Sequence, residues 1–404
     1  ITAYAAFGAH DSRYGTLSTS QVTINNFNGN STSAAPNRLS FYNTYLTAEA
    51  GARALVDTGP ISHEFAVTAT TYEQVNGVGS ATGSAPAFAT NIYNPTSFAQ
   101  PSVPGPASPK VSTVGLSSLG FADTLSAADK RIQLTAGLRL QNVTAQNFNA
   151  AGQSTTGYNQ SALSPAVALV IKPWQNVSLY GNWIQGLQQG SVVGAPFANA
   201  GEIFPPYKST QYEVGLKVDW GKFTTTASLF QISQPSLITN VATNTQVLAG
   251  EQRNQGLELN VFGELVPGVR LLGGAMFLSP VLTKTQGGLT DGWIAPFAPQ
   301  INLNLAGEWD LPFLPGLTLN GRVVYTGSQY VDTTWPRRSL PEWTRFDLGA
   351  RYAFENPGAK GKQLVARFNV DNVLDANYWE GGGFVTLLML GAPRTFRLSL
   401  TADF

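Results

Sequence analysis

Two histidines, His10 and His63, are the residues best suited by type to carry protons near neutral pH, and neither has catalytic partners close by in sequence. No His-Glu-x-x-His or similar metal-ligand spacing occurs, and the chain contains no cysteine. Disulfides, thiolate-bound zinc, iron–sulfur clusters and thiol nucleophiles are therefore excluded. We expect no metal site and no resident cofactor.

Motifs for nucleophilic catalysis and phosphate binding are also missing. Neither Gly-x-Ser-x-Gly nor Gly-x-x-x-x-Gly-Lys-Ser/Thr occurs, and the glycine-rich stretch 77–83 departs from the dinucleotide-binding spacing by one residue. Glu213, Asp219, Glu258 and Glu264 are candidate paired acids by type, but they occupy the polar positions of an alternating pattern. We expect them to line a water-filled surface, and we predict that the protein is not an enzyme.

Charge and hydropathy narrow the class of protein further. The chain carries 24 basic and 24 acidic residues, and its charged content of 12% is about half of the ~25% usual in soluble domains. Without net charge it lacks a field that attracts nucleic acid, so we expect no nucleic-acid partner. The longest apolar runs, 166–171 and 387–390, are far shorter than the ~18 residues of a membrane-spanning helix.

Apolar and polar residues alternate along most of the chain, which indicates strands with one apolar and one polar face. The stretches 131–141 and 211–220 both show this period of two. A soluble β-sandwich alternates as well, so strand number and loop lengths must distinguish it from a barrel with one face in lipid. The predicted lipid-facing residues include Ile132, Leu134, Leu138, Val214, Leu216 and Val218.

About sixteen alternating segments follow one another, and their connections alternate between short and long. Outer-membrane barrels have this asymmetry, with short periplasmic turns and longer extracellular loops. The predicted short connections are 57–62, 126–130, 172–176, 220–223, 266–268, 310–316 and 356–362. The predicted long ones are 13–37, 76–110, 148–160, 189–207, 234–247, 280–297, 331–341 and 379–393. The predicted fold is thus all-β, a transmembrane antiparallel β-barrel with both ends of the chain in the periplasm.

Particular residue types support this orientation. Trp174, Trp220 and Trp309 all fall at predicted short turns, as an interfacial aromatic girdle requires. Gly59 precedes proline and predicts a tight turn, whereas Gly256 is expected to redirect a strand at its start.

The last segment, 394–404, alternates up to a terminal phenylalanine. Such a strand resembles the signal by which outer-membrane proteins are recognised for barrel assembly. Ala402 departs from that pattern, because these signals usually carry a larger apolar side chain there. The residues assigned to the signal are Phe396, Leu398, Leu400 and Phe404.

Six motifs, in order along the chain, resemble the barrel motifs of TonB-dependent siderophore receptors. They are DTGPISH (57–63), KSTQYEVG (208–215), RNQGLEL (253–259), LPEWT (340–344), FNVDNVLD (368–375) and GAPR (391–394). Each motif is weak alone, but six in register over essentially the whole chain make the resemblance specific.

The resemblance implies a receptor and TonB-energised transporter for ferric siderophores in the bacterial outer membrane. Complete members have an N-terminal plug domain and a 22-stranded barrel, so residues 1–404 are expected to be the C-terminal portion of the barrel, without the plug. TonB would then act only through the missing plug. Iron would arrive chelated in the siderophore, and we expect a monomer that contacts outer-membrane lipid and lipopolysaccharide. The alternative is a passive porin-like channel or a non-functional barrel fragment.

Siderophore complexes are often anionic and carry flat chelating groups, so their site should combine aromatic faces with guanidinium donors. The densest such cluster in a predicted extracellular loop lies at 335–338. A second interpretation is that its two arginines bind lipopolysaccharide or only solvate the loop, and the identity of the siderophore stays open. The candidate ligand-binding residues are Tyr93, Tyr207, Trp293, Trp335, Arg337, Arg338 and Trp379.

Overall fold

The computed structural model describes residues 1–19, 22–26, 28–97, 99–359, 361–384 and 387–403. Strands make up 70% of the structure. A single 3-10 turn, Gln286–Gly288, is the one helical element assigned within these residues. None of the described segments forms a helix long and apolar enough to cross a membrane. The predicted all-β class is confirmed.

The strands are, in chain order, β1 (Thr2–Thr19), β2 (Val22–Ile24), β3 (Asn30–Ser33), β4 (Pro36–Thr58), β5 (Ile61–Thr82), β6 (Phe88–Asn91), β7 (Lys110–Ala127), β8 (Ile132–Phe148), β9 (Ser154–Trp174), β10 (Val177–Gln188), β11 (Tyr207–Asp219), β12 (Phe223–Asn240), β13 (Thr245–Val266), β14 (Val269–Lys284), β15 (Ile301–Asp310), β16 (Leu317–Thr326), β17 (Gln329–Tyr330), β18 (Ser339–Leu340), β19 (Trp343–Glu355), β20 (Gln363–Asp371), β21 (Trp379–Phe384), β22 (Leu387–Leu390) and β23 (Thr395–Ala402).

Sixteen strands form one antiparallel sheet, which confirms the number expected from the sequence. Their order is β1-β4-β5-β7-β8-β9-β10-β11-β12-β13-β14-β15-β16-β19-β20-β23. The small sheets β2-β3-β6, β17-β18 and β21-β22 lie within long connections. Across the described ranges no pairing joins β1 to β23, so each of these strands pairs on one side.

The period of two gives the sheet an apolar and a polar face. Val214 and Leu216 on β11 are 60% and 38% exposed, and the exposed leucines Leu179 on β10 and Leu229 on β12 share their face. The residues before and after Val214 in sequence point the other way, and one of them, Glu213, accepts a hydrogen bond of 2.7 Å from the Tyr180 hydroxyl. We call these the outward and the inward face.

The connections at the two ends of the sheet differ in length, as predicted. At the turn end they are 59–60, 128–131, 175–176, 220–222, 267–268, 311–316 and 356–362. At the loop end they are 20–35, 83–109, 149–153, 189–206, 241–244, 285–300, 327–342 and 372–394. The predicted extents 13–37, 76–110, 148–160 and 234–247 were too long, because β1, β5, β9, β12 and β13 continue into them. Backbone pairing does not require an apolar face, so these hairpins extend where alternation in the sequence has stopped.

The tryptophans at the turn end lie where the expected aromatic girdle requires them. The expectation for Gly256 was wrong. Trp174, Trp220 and Trp309 are 66%, 56% and 45% exposed beside their turns. Gly59 has φ +64 in the two-residue turn from β4 to β5. Gly256 lies in the middle of β13, not at its start, and its pairing there is regular. Its missing Cβ makes room for the Phe230 ring, only 2.6 Å from where that atom would lie.

Buried apolar side chains gather mainly beneath the connections of the loop end. A single sheet with solvent or lipid on each face offers little interior, whereas loops that fold over one another do. Residues under 9% exposed therefore include Val103, Tyr158, Val193, Tyr207, Ala295, Leu340 and Tyr378. The loop end is a packed layer, and it positions the candidate ligand residues.

Candidate functional site

The seven candidate ligand residues are all placed at the loop end, in several different connections. Tyr93 lies in 83–109, Tyr207 begins β11, Trp293 lies in 285–300, Trp335, Arg337 and Arg338 lie in 327–342, and Trp379 begins β21. Their exposures and partners divide them into anchored and accessible residues.

Arg337 is anchored between two loops. Its guanidinium carbon lies 3.6 Å from the centroid of the Tyr330 ring and 4.9 Å from that of Trp293. Its Nη2 donates to the carbonyl of Ile294 at 2.7 Å, and its Nε donates to the carbonyl of Asp332 at 3.1 Å. Cation–π contacts and these hydrogen bonds use the stacking faces and planar donors of one guanidinium. Arg337 therefore joins connection 285–300 to 327–342.

Arg338 and Trp335, in contrast, are accessible. The Arg338 side chain is 78% exposed and its Nε donates to the Asp332 carboxylate at 2.7 Å. This guanidinium holds the pKa of Asp332 below its ordinary value. Trp335 is 79% exposed at the tip of the same connection. The indole face of Trp335 and the guanidinium edge of Arg338 are thus open to a ligand. Arg337 holds the connection that carries them.

Tyr207 is buried and supports connection 189–206 from below. Its hydroxyl oxygen accepts a hydrogen bond from the Ser191 N–H at 3.1 Å. The hydroxyl of Tyr158 on β9 accepts from the Gly190 N–H at the same distance. Both tyrosines face inward from long strands, so they hold the start of this connection over the sheet. The sequence indicated Tyr207 by type, but Tyr158 was missed because a lone tyrosine in a polar strand gives no signal.

Further hydrogen bonds link neighbouring loops into a row. The side chain of Asn199 bonds both ways with the backbone of Gln246, at 2.9 and 3.0 Å. The side-chain amide of Gln286 pairs with the backbone of Thr239, at 2.5 and 2.6 Å. Together with Arg337, these contacts connect the loops 189–206, 285–300 and 327–342 with the loop-end part of the β12–β13 hairpin. We call this row of linked loops the loop wall.

Tyr93 and Trp379 lie outside this row. Tyr93 is 70% exposed, and its N–H donates to the Asn91 side chain at 2.8 Å. Trp379 is half-buried and pairs with Leu390 in the sheet β21-β22.

A buried cluster beside Trp379 was missed by sequence reasoning. Tyr378 is 4% exposed and stacks on Trp343, with ring centroids 4.3 Å apart. Arg345 bonds to the Tyr378 hydroxyl at 3.3 Å and to Asp347 at 3.1 Å. The LPEWT and FNVDNVLD motifs contain or adjoin these residues, which was the available signal. Their contact joins segments more than thirty positions apart, so no local pattern predicts it.

Asn372 explains the FNVDNVLD motif. It is 1% exposed with φ +52, and its side-chain amide donates to the carbonyls of Ala376 and Ala392 at 2.9 and 3.0 Å. Its own N–H donates to Asp347 at 2.8 Å. The residue thus fixes both ends of connection 372–394 against β19.

The turn end has polar clusters of its own. His63 Nδ1 lies 2.8 Å from an Asp123 oxygen, and its Nε2 lies 2.9 Å from the Thr58 hydroxyl. This contact ties the β4–β5 turn to β7, in keeping with the assignment of His63 to the turn motif. On the inward face Arg270 holds Asp310 through two bonds of 2.7 Å, and Glu308 through one of 3.0 Å.

The inward face carries the acids considered for catalysis, with Glu213 and Glu258 along the strands and Asp219 and Glu264 at the turn end. Glu213 accepts from Tyr180 and, at 2.9 Å, from the Gln211 side chain. Within the described parts of the chain no group of three or more His, Asp or Glu side chains is arranged to hold a metal ion. Of the predicted assembly signal, Phe396, Leu398 and Leu400 lie outward and are 65%, 80% and 67% exposed. Phe404 lies outside the described residues.

Comparison with known proteins assigns this architecture. A family model described as "TonB dependent receptor-like, beta-barrel" matches residues 2–373. The chain is 38% identical over 366 residues to the ferrichrome receptor FcuA of Yersinia enterocolitica, which covers 88% of this chain and 47% of that protein. It is 25% identical over 269 residues to the metal-pseudopaline receptor CntO of Pseudomonas aeruginosa, covering 65% and 36%.

Solved structures agree. BauA, the ferric preacinetobactin receptor of Acinetobacter baumannii, matches with a TM-score of 0.88 and 37% identity, over 100% of this chain and 60% of that one. The ferric-catecholate import receptor Fiu of E. coli matches with a TM-score of 0.72 at 18% identity, over 96% and 59%, which supports the fold alone. The chain spans about half or less of the length of these curated relatives.

Proposed function

The chain belongs to the TonB dependent receptor-like β-barrel family, and on that basis we propose that it forms the barrel wall of a receptor that takes up ferric siderophores. Its location is the bacterial outer membrane, as in its family. The turn end then faces the periplasm and the loop end faces the outside. The observation that carries the proposal is the 38% identity to a ferrichrome receptor over most of this chain.

The proposed ligand surface consists of the accessible residues at the loop end. Trp335 and Tyr93 offer exposed ring faces, Arg338 offers a guanidinium edge, and Trp379 offers a half-buried ring. Flat chelating groups stack on aromatic faces, and anionic oxygens accept charge-assisted hydrogen bonds from arginine. Iron is cargo that arrives with its own chelating groups.

Three of the candidates have supporting roles in this proposal. The polar groups or ring faces of these three residues, Arg337, Trp293 and Tyr207, already contact neighbouring loops. They hold the loop wall on which the accessible residues stand.

Energised transport is proposed for the complete receptor. We propose that the plug domain and the TonB contact, which the family resemblance implies, belong to sequence outside residues 1–404. We further propose a monomer whose outward face contacts membrane lipid and lipopolysaccharide.

Titration of tryptophan fluorescence with a panel of ferric siderophores tests the ligand surface. Trp335→Ala and Arg338→Ala should each weaken binding of the cognate complex, and loss of the arginine should cost roughly 1.5–3 kcal/mol if its bond to the ligand is charge-assisted. Trp174→Ala is the matched control, because Trp174 is also largely exposed, at the opposite end of the sheet. Unchanged affinity in both loop variants would refute this surface.

Single-channel recording tests the competing function of a passive pore. A stable and uniform conductance of porin size, unaffected by siderophore, would favour the channel. Saturable siderophore binding without such conductance would favour the receptor.

A further inference from the structure

Arg253 is an outward-facing cation that the barrel itself leaves unsatisfied. It lies on β13 opposite Ser233 of β12 and Val281 of β14. Its Nε is fully buried and has no acceptor, and no hydrogen bond or ion pair reaches this guanidinium from the described part of the chain. A buried charged donor without a partner is costly. An acceptor supplied from outside the chain would remove that cost.

The position of Arg253 along the barrel axis, relative to the membrane, indicates where this acceptor comes from. The outward residues of β13 run from Leu265 through Leu259 to Leu257, and their eight-residue span rises by about 21 Å at the usual rise and tilt of a barrel strand. This is close to the apolar band of about 25 Å expected for such barrels. Arg253 lies four residues further along, about 10 Å higher by the same geometry. Its guanidinium is therefore at the level of the outer-leaflet headgroups.

The neighbouring side chains fit that level. Tyr212 on β11 points outward and is 53% exposed, as an interfacial aromatic residue would be. The amides of Gln231 and Gln255 bond to each other at 2.6 Å on the same face, between Arg253 and the leucines below it. The outward face thus changes here from apolar to polar.

A second cation lies close to Arg253. Lys208 shares the outward face of β11, is exposed, and has no ion-pair partner among the described residues. It lies two strands from Arg253 and one outward position higher, roughly 10 Å across the sheet and roughly 7 Å along it. The nearest acid on this face, Glu251, is occupied by the Thr283 hydroxyl at 2.7 Å and by Lys284 at 3.7 Å. The Glu251 carboxylate is therefore engaged by these two groups and forms no ion pair with Arg253 or Lys208.

We propose that Arg253 and Lys208 form a binding site for the phosphorylated headgroup of lipopolysaccharide on the outer wall of β11–β13. Arginine binds phosphate through paired N–H donors, and lysine adds a point charge. The hydroxyl groups of Thr210 and Ser233 lie on the same face between the two cations. The acyl chains would then lie on the leucine face below. This site rests on the outer-membrane location and is independent of the siderophore surface.

The test is a lipid titration of the purified chain in neutral detergent, read by native mass spectrometry. The probes are diphosphorylated lipid A and the same lipid with its phosphates removed. Wild type should bind the phosphorylated form at least about tenfold more tightly. Arg253→Gln and Lys208→Gln should each lose most of this preference, whereas Arg253→Lys should keep part of it. The matched control is Arg13→Gln, because Arg13 is an outward arginine already paired with Asp11 at 3.2 Å.

Three results would overturn the site. One is equal binding of the two lipid forms by wild type, and another is undiminished phosphate preference in the Arg253→Gln/Lys208→Gln variant. The third is a wild-type dimer that Arg253→Gln dissociates, which would assign the guanidinium to a second copy of the chain. Circular dichroism of each variant establishes that it is folded. Siderophore titration of the same variants should be unchanged, so failure of the lipid site and failure of the receptor function are distinguishable.

Discussion

Removal of the Arg337 side chain should open the contact between connections 285–300 and 327–342 without unfolding the barrel. The residue makes two hydrogen bonds to carbonyl groups and lies against two aromatic rings. Each hydrogen bond contributes about 0.5–1.5 kcal/mol and each ring contact about 0.5–1 kcal/mol. Because Arg337 is partly exposed, we expect the lower part of this sum, about 2–3 kcal/mol.

Amide hydrogen exchange measures this loss locally, since loops open with their own free energies. The Phe297 N–H donates to the Tyr330 carbonyl at 2.7 Å across the contact. In Arg337→Ala its exchange should accelerate by roughly 30- to 140-fold, which corresponds to the expected free energy. Arg338→Ala removes only an exposed ion pair worth about 0–1 kcal/mol and is the matched control.

Unchanged exchange at Phe297 in Arg337→Ala would refute the assignment of Arg337 as the link between the loops. Equal acceleration in Arg338→Ala would refute it as well, because the effect would then come from net charge and not from stacking and hydrogen bonding.

Three further substitutions test the barrel sheet and the layer of loops at the loop end. Leu216→Arg should destabilise the barrel by about 2–4 kcal/mol if Leu216 lies near the bilayer midplane, whereas inward-facing Lys217→Arg should have little effect, as measured by unfolding in lipid vesicles. Gly256→Ala should cost about 1–3 kcal/mol of unfolding free energy by overpacking, while Gly157→Ala should cost much less, because no atom lies within 4 Å of the added Cβ. Asn372→Ala leaves buried carbonyls unpaired and should accelerate exchange throughout 372–394, and protection equal to wild type would contradict its role.

The sequence by itself determined the class of fold, the number of strands, and which residues of each strand lie on the outward and the inward face of the sheet. Alternation is a local property, and its parity assigns residues such as Leu216 and Glu213 to opposite faces without knowledge of any partner strand. The lengths of connections and the positions of Trp174, Trp220 and Trp309 then distinguish the two ends. Strand ends at the loop end were less predictable, because hairpins such as β8–β9 continue by backbone pairing after the apolar alternation has ended.

Only the tertiary structure decided what the candidate residues do. The sequence groups Trp335, Arg337 and Arg338 as one ligand cluster, yet Arg337 is anchored by Trp293, which is 44 positions away, while Trp335 and Arg338 are accessible. Whether a guanidinium meets a ligand or a neighbouring loop depends on which loops the strand order brings side by side. That contact is formed between distant segments, and the period of a single strand carries no information about it.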